Sequence, residues 1–304
     1  MKVPCKLLTV VLFSFLAASA APATEAPDKP LVIDAKIPRS GYFMRCGFDS
    51  VWMMAGAKLV RINPADNSFT DTMLKDIQGG FRGIAMGEGA VWVPDIGTDT
   101  IHKFDPASGE VKLSIPAVMG DYEGSVGVGE GSVWVAEKQL LTRFNAASGA
   151  EEAKIDLPGD GAGVLVAFDS VWVTSPHKNA LYRIDPKANA VAQTIALESR
   201  PRFLTSDANS LWIFNQGGFV QSVDGQNGEV TATIATGPMG GGGDIDVGGG
   251  FVWLASHNFQ LMQIDPKSRS IVAKFHNDEV GDGLCFGGGA VWLSGDAIYR
   301  VKVQ

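Results

Sequence analysis

Cysteine is scarce in this chain: Cys5, Cys46 and Cys285 are the only three in 304 residues. Their wide separation excludes the paired spacing of a zinc or dithiol redox motif. Long apolar runs are also missing. The one apolar stretch near the start, Leu7 to Phe15, is too short. A membrane helix needs about 20 residues. Positive charge is in deficit, with 25 Lys and Arg against 33 Asp and Glu and a formal charge of −8. That balance argues against a nucleic-acid backbone as partner, because phosphate binding rests on basic side chains. Helical periodicity is absent throughout.

The first residues read as a leader. Lys2 and Lys6 precede the apolar run, and "LAASAAPA" follows with Ala18 and Ala20 placed as an A-x-A cleavage site. The sequence therefore predicts a signal peptide over 1–20, a flexible lead-in over 21–29 and a single domain over 30–304. The mature protein is expected to be soluble, without a transmembrane segment, and periplasmic or secreted. Loss of Lys2 and Lys6 takes the formal charge from −8 to about −10.

What the chain does have is a repeat. Residues 87–95 read "GEGAVWVPD" and residues 129–137 read "GEGSVWVAE". All seven tryptophans, Trp52, Trp92, Trp134, Trp172, Trp212, Trp253 and Trp292, follow Val or Leu. They recur about every 40 residues, within the range of repeat architectures. Around each lie a short apolar segment, a tight turn, the Trp segment, a polar loop, an alternating segment such as "TIHKFDPASG", and a last one such as "EVKLSI". Asp-Pro and Ser-Gly turns between alternating β-branched runs are hairpin signals. Four short strands in about 40 residues make one blade of a β-propeller. The expected fold is all-β, a seven-bladed propeller with four-stranded blades. The last unit lacks its fourth strand, and "PLVIDAKIP" at residues 30–38 is a fourth strand with nothing before it. Its addition to the last blade would close the ring. The tryptophans read as wedge-filling structure.

Function must then come from loops and axis. The positions ten before and three after each Trp are expected to converge on one face. The first set contains Tyr42, Arg82, Arg202 and Asp282, and the second contains Asp95, Glu137 and Asn215, with His177 and His257 close by. Arg82 and Arg202 are carboxylate or phosphate clamps by chemistry, and pairing of Arg82 with Asp95 is the structural alternative. His177, His257 and His276 come from separate blades with no local metal signature, and read as surface histidines. Cys46 and Cys285 lie six and seven residues before their tryptophans, on strands that ring closure makes neighbours. A disulfide would lock that seam, but the one-residue offset favours two buried thiols.

The unit "GGFRGIAMGEGAVWVPD…TDTIHKFDPASGEVKLSI" resembles the blades of the virginiamycin B (streptogramin) lyase family and its YVTN/YncE-like seven-bladed relatives. That resemblance implies ester-opening elimination with Mg²⁺ and a His–Glu pair. None of the seven units has His in the slot of Tyr42, where Arg82 and Arg202 stand instead, and Glu137 shares its blade with Gly124. A guanidinium cannot abstract a proton. The expectation is a monomeric binding or scaffold propeller, without lyase activity and without a required cofactor. Its partner would be a small anionic ligand or an envelope protein. The alternative is a lyase or lactone hydrolase with a divalent metal in the axial funnel.

Overall fold

A computed structural model describes residues 26–73, 83–120, 123–237, 240, 242–256, 259–276 and 280–302. Among these residues there is no helix, hence none long and apolar enough to cross a membrane. The strands form seven sheets, each of four strands except one of five. Consecutive strands pair antiparallel within each sheet, so the four-stranded meander of every blade is folded from one contiguous stretch, with one exception. That exception closes the ring. Strand Ile33–Ile37 pairs antiparallel with Ile298–Val301, Ile33 against Val301 and Ile37 against Ile298, and completes blade seven.

The wedges between blades explain the tryptophans. Each of the seven is at most 1% exposed. Trp52 packs on Val91, Val93 and Phe104 of the next blade, Trp172 on Leu211, Ile213 and Val223, and Trp292 on Val51, Met53 and Val60 across the seam. One face of each blade presents the indole, and the opposite face of its neighbour presents alternate aliphatic residues. Burial of both faces makes the second strands apolar throughout rather than alternating. Six indole N–H groups donate to the carbonyl five residues earlier, as Trp134 does to Gly129 at 3.2 Å, while Trp212 donates to Asp207 at 2.8 Å.

Among the described residues, a cation from the third strand covers five of these rings: Arg61, Lys103, Arg143, Arg183 and Arg300, at 4.9 to 5.6 Å from the ring centroids. Each then donates to a turn carbonyl of the following blade, Arg143 to Pro186 at 2.6 Å and Arg300 to Pro64 at 3.1 Å. The Asp-Pro turns work as Asx turns. Asp105 accepts from Ala107 N–H and Ser108 N–H, each at 2.8 Å. These bonds favour the charged form and hold its carboxyl below the ordinary value.

Two expectations need correction. The lead-in over 21–29 is not wholly free, because Asp28–Pro30 pairs in parallel with the outer strand Ser270–His276 of blade six, giving that sheet its fifth strand. Two charged residues and a proline carry no strand pattern, but a sheet edge tolerates proline and supplies the pairing. The leader expected over 1–20 lies outside the described residues. Cys46 and Cys285 are joined by a disulfide, with Cα atoms 5.5 Å apart. The offset that suggested separate thiols is what brings them together. Cys285 pairs with Trp292 and so shares the indole face of blade seven, while Cys46 pairs with Val51 on the facing side of blade one. Opposite faces of adjacent blades meet.

Candidate functional site

The inner strands surround a central cavity of about 230 Å³ lined from six of the seven blades. They stand close enough to restrict side chains. A Cβ on Gly163 would sit 2.4 Å from the Arg202 carbonyl oxygen, and one on Gly127 would sit 2.7 Å from Val164 Cγ1. Crowding of this kind is why glycine occurs in these strands.

The lining has a simple rule. The residue seven before each Trp pairs directly with it across the first two strands, giving Arg45, Ala85, Gly127, Leu165, Thr205, Asp246 and Cys285. The first six of these line the cavity. Arg45, Thr205 and Asp246 thus belong to the site, although the positions ten before and three after the tryptophans did not indicate them. The signal was the same period, read further into the strand.

Charges at the axis are tightly held. Arg45 donates to Asp244 Oδ2 at 2.9 Å and to the Met44 carbonyl at 2.8 Å. Asp244 is 2% exposed and also accepts from Ile245 N–H at 2.9 Å and Leu284 N–H at 3.4 Å. Burial works against the Arg45 charge, but Asp244, Glu123 and Asp246 outweigh it and hold the guanidinium above its ordinary value. Burial pushes Asp244 up against the pull of Arg45. Asp246 accepts from Val247 and Phe286 N–H, both at 2.8 Å, and burial drives its carboxyl up to about 6 despite those bonds. Asp244 and Asp246 therefore each accept from a backbone N–H of blade seven. Through Arg45 the first of them also reaches blade one, on the inner side of the disulfide seam.

Among the described residues, the sequence-derived candidates do not share one site. Arg202 is in the cavity wall, its guanidinium 5.1 Å from the centre of the Phe203 ring. Tyr42 stands at the head of its inner strand, 70% exposed and tilted against Phe43 at 6.3 Å, outside the cavity lining. Asp95 is fully buried and accepts from Gly97 N–H at 2.9 Å and the Thr98 hydroxyl at 3.1 Å, which fixes its own turn. Asn215 is fully buried and donates to Gln221 Oε1 at 2.9 Å, within a network that includes the Glu198 N–H. Arg82 and His257 lie outside the described residues, as does the Asp282 side chain, although its backbone is part of strand Val280–Gly287.

Glu137 and His177 meet elsewhere. They line a broad depression of about 920 Å³ between blades three and four, together with Lys138 and Asp160, and it shares no lining residue with the central cavity. Asp160 Oδ2 is 2.7 Å from His177 Nδ1, and its Oδ1 accepts from the Ser175 hydroxyl at 2.8 Å. A carboxylate that fixes Nδ1–H leaves Nε2 with its lone pair. Glu137 pairs with Lys138 at 3.0 Å.

Among the described residues, the donor set does not fit the magnesium ion of the lyase resemblance. Asp95 is committed to its turn, Glu137 to a lysine and Asp244 to an arginine, and among the described residues no three His, Cys, Asp or Glu side chains converge. His276 stands on the outer strand of blade six with Asp28, 3.2 Å away.

No protein-family model matches the sequence, and no curated protein matches it. Among solved structures, selenomethionine-substituted virginiamycin B lyase from Staphylococcus aureus is similar, with a TM-score of 0.72 at 16% identity over 89% of this chain and 98% of that one. The likeness at that identity is one of fold: this chain is a virginiamycin B lyase-like propeller in architecture.

Proposed function

We propose that this protein is an exported, non-catalytic propeller of the cell envelope that binds a small ligand with an anionic group in its axial funnel. The observation that carries this reading is the central cavity, where Arg45, Glu123, Arg202, Thr205 and Asp246 share one wall system with apolar inner-strand residues. A cavity with a few converging polar groups among apolar ones suits a small molecule. Arg202 supplies the anion contact, and Arg82 holds the equivalent position in the repeat three blades earlier. Export is supported by the leader pattern and by the Cys46–Cys285 bond, which suits an oxidising compartment. The test is a thermal-shift screen of charged metabolites against the mature protein and an Arg82→Ala/Arg202→Ala variant. Shifts of several degrees in the wild type that vanish in the variant are expected. Equal shifts in both would remove these arginines from the account.

A second reading is favoured by the Asp160–His177 pair. Nε2 of an imidazole fixed in this way can accept a proton, and the adjoining depression has room for an ester or lactone. Turnover of a lactone panel that is lost in His177→Ala and unchanged in Arg202→Ala would establish this reading over the first.

A further inference from the structure

The two halves of the seam disulfide stand differently towards the central cavity. Cys285 lies on the indole face of blade seven, wholly buried in a cluster with Met44, Val51, Trp292 and Ile298. Cys46 is only half-buried, and of the two cysteines it is the one that lines the cavity. Its place in the repeat explains this. Cys46 stands six residues before Trp52, and Met86, Val128 and Val166 stand six before Trp92, Trp134 and Trp172. All four line the cavity. Blade one thus puts a sulfur where the next three blades put apolar side chains. The strand beside it adds no cover. Gly287 adjoins Cys46, and a Cβ there would come within 2.9 Å of Cys46 Sγ.

A disulfide exchanges when a thiolate attacks one of its two sulfurs, and access helps to select which. We infer that the Cys46–Cys285 bond is a thiol-exchange site open on one side only, which takes a small aliphatic thiol from the central cavity onto Cys46. The incoming thiolate bonds to Cys46 Sγ as the bond between the cysteines breaks, and the electron pair leaves on Cys285 Sγ. Cys285 then takes up a proton, matching the one the incoming thiol released, and stays as a buried thiol. One disulfide replaces another, so no outside oxidant or reductant is consumed. The apolar setting disfavours the Cys285 thiolate and makes it a reluctant leaving group. That slows the exchange without changing which sulfur is reached. The mixed disulfide projects into a cavity of about 230 Å³, beside Met86, Val128 and Val166, with room for a short carbon chain. Return attack by Cys285 expels the thiol and restores the seam. The axial wall is therefore open to reversible covalent modification, whatever else the cavity binds.

The test maps the product on the mature protein. Folded protein is incubated with 2-mercaptoethanol, quenched in acid, unfolded, alkylated with N-ethylmaleimide and examined by peptide mass spectrometry. The mixed disulfide is expected on Cys46 and the alkyl group on Cys285, with the reverse product at least about tenfold rarer. Cys285→Ala and Cys46→Ala, checked for folding by circular dichroism, repeat the comparison without competition from re-closure. Methyl methanethiolsulfonate should modify Cys46 in the first at least about tenfold faster than Cys285 in the second. A polyethylene glycol maleimide too large for the cavity should modify neither before unfolding. Equal modification of the two cysteines overturns the one-sided site, and so does reaction of neither before unfolding. Rapid labelling of Cys46 by the bulky reagent overturns the route through the cavity. Should the variants fail to fold, the product map on the unaltered protein decides alone.

Discussion

Each blade carries one row of residues across its strands, and the two ends of that row differ sharply. At the middle stands Trp in all seven blades, and at the outer side a cation covers it in five, among the described residues. At the inner end the row holds Arg45, Ala85, Gly127, Leu165, Thr205, Asp246 and Cys285. Uniformity at the middle follows from one repeated packing problem, a wedge between two sheet faces. Nothing repeats at the axis, where the blades converge on a cavity. Variety there shows that no single packing demand repeats: Gly127 is held small by Val164 and Cys285 by its disulfide, while Arg45, Thr205 and Asp246 line the cavity.

The largest expected effect breaks this contrast directly. Trp172→Ala should cost about 3–5 kcal/mol, while Leu165→Ala on the same row should cost far less, and chemical denaturation compares them. Equal losses would mean the inner end is core like the middle. Next comes the seam. The disulfide joins positions 239 apart in sequence and so constrains nearly the whole unfolded chain. Its reduction, or Cys46→Ser with Cys285→Ser, should lower stability by about 2–5 kcal/mol, read from melting with and without reductant. Third is pH. Asp246 titrates at about 6 when folded, against an ordinary value of 3.8. A raised carboxyl pKa stabilises the fold below the lower value, and that contribution is lost as pH rises towards 6. The loss should reach at most about 3 kcal/mol, and less where cavity water screens the charge. Asp246→Asn should flatten the stability profile between pH 4 and 6. The smallest effect sharpens the outer end: Arg143→Gln should cost about 0.5–1 kcal/mol through its contact with Trp134. Blades five and six place Ser222 and Gln263 opposite their tryptophans, so the position tolerates a neutral side chain.

The architecture was legible because Trp spacing and turn chemistry are local and repeated. Closure by residues 33–37 was legible for the same reason, as a strand missing from one end and surplus at the other. The site was less so. Arg45 and Asp246 occupy ordinary strand positions, and only the pairing with Trp identifies them as cavity residues. Asp95 and Asn215 show the reverse: polar residues at the ends of second strands, turned inward to satisfy the following turn or a neighbouring glutamine. Sequence position cannot tell a side chain that faces a ligand from one that closes a turn. The cysteines misled through a face argument applied within one sheet, when the relevant contact lay between two.

Strand Ile33–Ile37 leaves a ribosome long before Ile298–Val301, its partner in the sheet. Six blades can form in the order of synthesis, but the seventh cannot start until almost the whole chain is present. Assembly therefore has a terminal step of very high sequence separation, slow by its loop-closure entropy. Until that step, an unpaired edge persists on the growing molecule, a hazard that a chaperone or rapid late closure must cover.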